Sequence, residues 1–303
     1  MQAFILGAGL GTRLAPLSLI LPKPLLPVFQ KPLIQHSMDH FIRAGITEFI
    51  VNTSQLEMAW ERAFPFPDPQ YRGVPVRLSH EETPLDSGGG LKKIMPLVHA
   101  DEPLLVHNGD IYSDLPIHDL LAEHRRAGNM VTLALRSVDG KRNVGFDPTT
   151  GRITDMRHAL GVDAGSYQFA GTYIMQPEVA ELFPAEEIFS IVPIWLELIH
   201  QGKVGGLVCD WANWYEMGTP TDYLNAVLDM RSGRRIHPSA TISARADLSE
   251  DTVVGQDAVI PADCVLTDCI VWPRTHVEPG EYTRAILTPR LTVQASDGSS
   301  RQL

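Results

Sequence analysis

Leu6-Gly7-Ala8-Gly9-Leu10-Gly11-Thr12-Arg13, with Pro22-Lys23-Pro24 close behind it, is the stretch on which the reading of this chain turns. The apolar run Ala3-Phe4-Ile5-Leu6 ahead of it reads as a buried strand, and the glycines let the backbone turn with positive φ and come close to a ligand. Backbone N–H groups of such a loop point at an anion, and Arg13 and Lys23 bring two positive charges to the same end of the sheet. On the glycines alone, a plain tight turn between strand and helix stays open. The loop is not a Walker loop, because no Gly-Lys-Ser/Thr follows. Nor is it the dinucleotide fingerprint: the third glycine stands one place too early, and Pro16, Pro22, Pro24 and Pro27 interrupt what should be a helix.

Outward from the loop, Pro32 to Ala44 carries Ile34, Met38, Phe41 and Ile42 on one helical face, with Gly45 as its stop. Glu48-Phe49-Ile50-Val51 follows as a second strand, so strand, helix and strand make a parallel βαβ unit with its ligand end at the strand carboxyl termini. Val76-Arg77-Leu78 is a short strand after a proline-rich loop. Glu81 to Gly90 then leads into a helix from about Leu91, and its three glycines permit close approach of a flat or anionic group; a hinge is the bland alternative. Leu104 to His107 is a buried strand ending in Asn108-Gly109-Asp110. An aspartate just past the end of a central strand is placed for a metal ligand or an acid/base group, although it can also cap the next helix.

Further on, His118 to Arg126 reads as a surface helix, and Met130 to Leu135 and Phe169 to Met175 as strands, the latter with Gly171 allowing close backbone approach. Ile188, Ile191, Val192, Trp195, Leu198 and Ile199 mark an amphipathic helix whose apolar residues are core. Thr219-Pro220 with Asp222 is a helix start, and Glu216, one turn earlier, is a second carboxylate able to face Asp110. From Ile236 the period changes: Ile236, Ile242, Leu248, Val254, Ile260, Leu266 and Trp272 recur every six residues, the repeat of a parallel β-helix. The left-handed form, with three hexads to a coil, gives a little over two coils. His237 and His276 raise an acyltransferase role, but so few coils favour packing or self-association.

Composition narrows the classes. With 303 residues the chain has room for about two domains, here 1–232 and 233–303. A net charge of −11 argues against nucleic acid as a partner, so an anionic substrate has to be captured by local cations. Cys209, Cys264 and Cys269 are odd in number and lack metal spacing, as in a reduced cytoplasmic protein. No targeting segment or membrane-spanning run is visible.

Taken together, Leu6 to Leu14, Pro22-Lys23-Pro24-Leu25-Leu26-Pro27-Val28, Lys31-Pro32-Leu33-Ile34, Asn108-Gly109-Asp110 and Gly218-Thr219 resemble the sugar-phosphate nucleotidyltransferases over residues 1 to 230. The resemblance implies a Rossmann-like, GT-A-like α/β fold with a mixed, mainly parallel sheet and flanking helices, followed by the short left-handed β-helix. It implies that a nucleoside triphosphate and a sugar 1-phosphate react to an NDP-sugar and pyrophosphate, with Mg²⁺ as cofactor; the open ends of the short solenoid separately favour a homo-oligomer. By the same resemblance Arg13, Lys23 and Asp110 are catalytic, and Asp110 and Glu216 hold the metal. Leu6, Gly7, Ala8, Gly9, Gly11, Thr12, Glu82, Pro84, Gly88 and Gly89 bind the nucleotide, and Gly145, Gly171 and Arg157 the sugar phosphate.

Two departures stand out. Glu216 replaces the family's usual aspartate, and the Glu-Lys-Pro that commonly clamps the sugar phosphate is absent around Met156-Arg157-His158, leaving Arg157 or His158 to substitute, or the sugar to be held differently. Pro84 to Gly90 looks like the loop of uridylyltransferases for N-acetylmuramate or related sugars, which favours UTP. The hexapeptide segment looks instead like that of mannose 1-phosphate guanylyltransferases, so GTP and dTTP stay open. A non-catalytic, sugar-nucleotide-binding regulatory paralogue is the alternative from another class.

Overall fold

The apolar run after Met1 becomes strand β1 (Gln2–Leu6), buried along nearly its whole length. In the computed structural model, which describes residues 1–137, 142–162, 167–230, 233 and 235–295, the chain divides into two units. One comprises Met1–Leu10 and Ser37–Trp214, the other Gly11–His36 and Tyr215–Leu303.

The first unit is built on a ten-stranded sheet. Its strands are β1, β2 (Glu48–Thr53), β3 (Gln70–Tyr71), β4 (Val74–His80), β5 (Leu104–Asn108), β6 (Val131–Arg136), β7 (Val144–Asp147), β8 (Arg152–Met156), β9 (Gln168–Met175) and β10 (Val204–Val208). They lie in the order β7-β8-β10-β6-β9-β5-β1-β2-β4-β3. Strands β5, β1, β2 and β4 run parallel, as do β6 and β10, while β9 is antiparallel to both its neighbours. The sheet is thus mixed and mainly parallel, as expected. Its central strands are covered on both faces, which is why they read as continuous apolar runs. Phe4, Ile50, Val106, Leu133, Tyr173 and Trp195 belong to one core, in which the Tyr173 and Trp195 rings meet edge to face at 4.8 Å.

The helices are α1 (Leu33–Arg43), α2 (Glu57–Ala63), α3 (Asp86–Ile94), α4 (Ile117–Ala127), α5 (Val192–His200) and α6 (Pro220–Asp229). Two expectations are corrected here. Helix α3 begins at Asp86 and not near Leu91, so Gly88, Gly89 and Gly90 lie within it. Ile188 is exposed, ahead of α5, whereas Ile191, Trp195, Leu198 and Ile199 are core.

In the second unit, residues 11–36 form three short 3-10 turns, Thr12–Leu14, Leu17–Leu19 and Lys23–Leu25, and a small hairpin pairing Pro27–Val28 with Lys31–Pro32. Helix α6 starts at Thr219 with the expected capping box, the Thr219 and Asp222 side chains each bonding the other's backbone. Beyond it, short strands pair in parallel in three small sheets. Thr241 faces Val259, Asp247 faces Val265, and Val253 faces Ile270. Cys264–Thr267 then pairs with Gly280–Thr283, and Ile270–Val271 with Ala285–Leu287. Val254, Ile260 and Leu266 of the six-residue series fill the core that these strands enclose.

The two ends of this unit are joined by buried polar contacts. The Trp272 indole N–H donates to the Tyr223 hydroxyl at 3.2 Å, and that hydroxyl donates to the Pro27 carbonyl. Gln30 Nε2 reaches the Val254 carbonyl at 3.2 Å. Among the described residues no helix is long and apolar enough to cross a membrane. The three cysteines are buried and free, and burial pushes the Cys209 thiol up to about 12, so it is an inert thiol.

Candidate active site

The glycine loop leaves β1 under tight constraint. The Gly7 N–H donates to Asn52 Oδ1 at 2.7 Å, and a Cβ on Gly7 would stand 2.6 Å from the Asn52 carbonyl oxygen and 2.9 Å from the Trp60 ring, so no side chain fits. The Ala8 carbonyl accepts from Ser54 Oγ at 2.7 Å. Gly9 faces open space, with nothing within 4 Å of an added Cβ. At the start of the loop, the Gly109 N–H donates to the Leu6 carbonyl at 3.0 Å. The turn carrying Asp110 is therefore tied to the loop by a backbone hydrogen bond, with Asp110 half-buried just beyond the carboxyl end of β5.

A second tie was not visible in the sequence. Asn52 Nδ2 donates to Glu81 Oε1 at 2.8 Å, and Glu81 Oε2 accepts from the Leu85 N–H at 2.9 Å. Glu81 is 1 % exposed, and a Cβ on Gly90 would stand 3.0 Å from its carboxylate. Asn52 and Glu81 thus knot the first glycine loop to the segment before α3, while Glu82 and Pro84 lie at the surface or half-buried beside it. Close approach at Gly88 and Gly89 is to the chain itself. Their N–H groups donate to the Phe189 carbonyl at 2.9 and 3.1 Å, and a Cβ on Gly89 would stand 2.1 Å from the Glu187 carbonyl oxygen.

The strand before Asp110 ends in a wholly buried imidazole. His107 Nδ1 lies 2.8 Å from Thr172 Oγ1, and Nε2 lies 3.1 Å from Ser37 Oγ and 3.3 Å from the Ile111 carbonyl. A carbonyl only accepts, so Nε2 carries the hydrogen and Nδ1 accepts from the Thr172 hydroxyl. Burial holds the ring neutral, its pKa pushed down to about 4. The imidazole braces the turn from Asn108 to Ile111. Gly171 presses on the same turn, at φ +73°: a Cβ there would stand 2.1 Å from the Ile111 side chain. Gly145 is buried in β7, and Val144 beside it pairs with Tyr167 at the entry to β9. Arg157 and His158 both follow β8 exposed, with left-handed φ of 58°.

In the second unit, Gly11 caps the Thr12–Leu14 turn at φ +64°, and an added Cβ would stand 2.9 Å from Ser18 Cβ and 3.4 Å from Lys23 Cγ. Gly11 therefore lets the Lys23 side chain pass close to the backbone. Arg13 lies 3.7 Å from Glu216 Oε1 and covers Gly218, 3.6 Å from where its Cβ would be. The sequence reading gave Glu216 to a metal; its partner in the structure is Arg13. Among the described residues there is no cluster of three or more His, Cys, Asp or Glu side chains able to cage a metal by itself.

Residues 2–233 match the family model described as nucleotidyl transferase. The chain belongs to the nucleotidyl transferase family. This nucleotidyltransferase is 30 % identical over 298 residues to the mannose-1-phosphate guanylyltransferase of Mycobacterium tuberculosis, a match covering 92 % of this chain and 82 % of that one. It is 28 % identical over 271 residues to the mannose-1-phosphate guanylyltransferase catalytic subunit beta of Danio rerio, covering 87 % and 74 %. Its fold is that of a putative glucose-1-phosphate thymidylyltransferase from Bacillus anthracis, with TM-score 0.66 at 22 % identity over 77 % of this chain and 98 % of the other.

Proposed function

We propose that this nucleotidyltransferase joins the nucleoside monophosphate of an NTP to a sugar 1-phosphate and releases pyrophosphate, with GTP and mannose 1-phosphate as the substrate pair. The observation that carries the reaction class is the Gly109–Leu6 hydrogen bond, which ties the Asp110 turn to the glycine loop at the carboxyl edge of the parallel strands. The substrate pair rests on the names of the relatives matched over most of both chains. UTP is the second reading, supported by Pro84 to Gly90. A regulatory paralogue is disfavoured because Arg13, Lys23 and Asp110 are all retained.

In such a transfer the sugar phosphate oxygen attacks the α-phosphorus in line, and pyrophosphate leaves. The step needs positioning and charge neutralisation more than a protein nucleophile. In this reading Gly9, Gly11 and Arg13 are assigned to the triphosphate, and Lys23 to neutralising the charge that builds at the α-phosphoryl group. A hard divalent cation fits the oxygen donors here, because Mg²⁺ is ordinarily held by one or two carboxylates with substrate phosphates completing the shell. Asp110 would hold it, and it would neutralise phosphoryl oxygens when bound.

We further read residues 233–303 as a short left-handed β-helix serving self-association, in a cytoplasmic enzyme. Pyrophosphate release, measured with GTP, UTP, dTTP, CTP and ATP against a panel of sugar 1-phosphates in Mg²⁺, tests the assignment. Turnover led by GTP and mannose 1-phosphate is expected; release with no pair would overturn the enzymatic reading.

A further inference from the structure

The Glu-Lys-Pro clamp is absent, Arg157 and His158 stand exposed after β8, and one side chain that no motif marks is built to hold an anion. Arg136 ends β6. Its guanidinium lies over the Trp214 ring, 4.4 Å from the centroid. The indole is itself held, its Nε1–H donating to the Ala170 carbonyl at 2.9 Å. Arg136 is half-buried, and its Nε, shielded from solvent, has no hydrogen-bond partner among the described residues. The acid whose field reaches it is Asp210, but that carboxylate is engaged by Ser137, which donates both its N–H at 2.7 Å and its hydroxyl. A half-buried guanidinium with no carboxylate bonded to it loses part of its hydration, which an anionic ligand would restore.

The sheet register fixes its height. Tyr173 of β9 faces Leu133 on one side and Val106 on the other. Three residues on from these, in the same direction, stand Arg136 and Gly109. Arg136 therefore lies level with the Asp110 turn at the carboxyl edge of the sheet, across the one intervening strand, at roughly 10 Å by strand spacing. On the strand between them, Ala170 and Gly171 leave the regular register.

We propose that Arg136, stacked on Trp214, is the receptor for the phosphate of the sugar 1-phosphate and does here what the absent clamp does elsewhere. The planar fork of the terminal guanidinium nitrogens matches a phosphate dianion, and the aromatic platform sets its plane. This assignment rests on the nucleotidyl-transfer reading above, and its test separates the two.

The intact enzyme is assayed with GTP, mannose 1-phosphate and Mg²⁺, or with whichever pair the panel shows to turn over. In Arg136→Met the KM for the sugar 1-phosphate should rise about tenfold or more, the loss of a charged hydrogen bond, with the KM for the NTP essentially unchanged. Arg136→Lys, which keeps the charge and loses the fork, should fall between. A second arm needs no turnover: inorganic phosphate is titrated against tryptophan fluorescence. A saturable change is expected in the wild type and lost in Trp214→Phe and in Arg136→Met, with Arg136→Gln as the substitute if that variant does not fold, and calorimetry of the Arg136 variant should show one phosphate site fewer than the wild type. An unchanged sugar-phosphate KM, an equal rise in the KM of both substrates, or phosphate binding indifferent to Arg136 would each overturn the proposal. Arg136-dependent phosphate binding in an enzyme inert with every pair would keep the anion site and overturn the reaction.

Discussion

Lowering the pH should weaken this fold through His107, by an amount that can be worked out. The imidazole is buried, with Thr172, Ser37 and the Ile111 carbonyl as its partners, and its pKa is down at about 4 against an ordinary 6.5. The unfolded chain takes up a proton as pH falls through about 6.5, while the native ring stays neutral until about 4. Between those limits the unfolded state binds more protons, so stability falls as pH falls. Linkage puts the loss from this residue at about 2 kcal/mol by pH 5 and about 3 kcal/mol by pH 4. His124, also buried and lowered to about 4, adds a second loss of the same sign. His107→Gln isolates the first. At pH 7.5 the variant should be about 1–3 kcal/mol less stable, because buried partners lose a bond. From pH 7.5 to 5 the gap should narrow by about 2 kcal/mol, because glutamine does not titrate. Urea unfolding at both pH values, followed by far-UV circular dichroism, measures it. Parallel pH profiles for wild type and variant would refute the reasoning.

Lys23→Ala should lower kcat by about 100-fold or more, as removal of other preorganised donors does; a near-normal rate in the pyrophosphate assay would remove Lys23 from the chemistry. Gly89→Ala drives a methyl into the Glu187 carbonyl, an obstacle made of backbone, and should cost about 2 kcal/mol or more of stability, read as a fall in the urea midpoint. Tyr223→Phe strands the Trp272 N–H and the Pro27 carbonyl and should cost about 2 kcal/mol or more; an unchanged melting temperature would show that water replaces the hydroxyl. Light scattering of the intact chain should report more than one copy, and a monomer would count against self-association through the C-terminal strands.

What could be read from the sequence was whatever one segment decides for itself. Ala3 to Leu6 formed its strand, Thr219 and Asp222 their capping box, and Leu104 to His107 the strand that delivers Asp110. Helix α3 was misplaced because glycine lowers helix propensity, whereas here the glycines sit inside the helix to let residues 187–189 pack against it. Ile188 kept the helical period of its neighbours but precedes the helix that gives the period meaning. Asn52, Glu81, Trp214 and Arg136 carried no signal, because each acquires its role from a partner dozens of residues away. The carboxylate of Glu216 is legible in the sequence, but its pairing with Arg13 spans almost the entire first unit in sequence.

The contacts from Tyr223 to Pro27 and from Gln30 to Val254 span 196 and 224 residues of chain. At ordinary translation speeds of about 5–20 residues per second, roughly ten to forty seconds separate the emergence of Gln30 from that of its partner. The segment bearing Arg13 and Lys23 is made almost first and packed almost last. A nascent chain released before Val254 would carry residues 11–36 without the C-terminal strands that hold them, so this early segment gains its buried contacts only when synthesis is nearly complete.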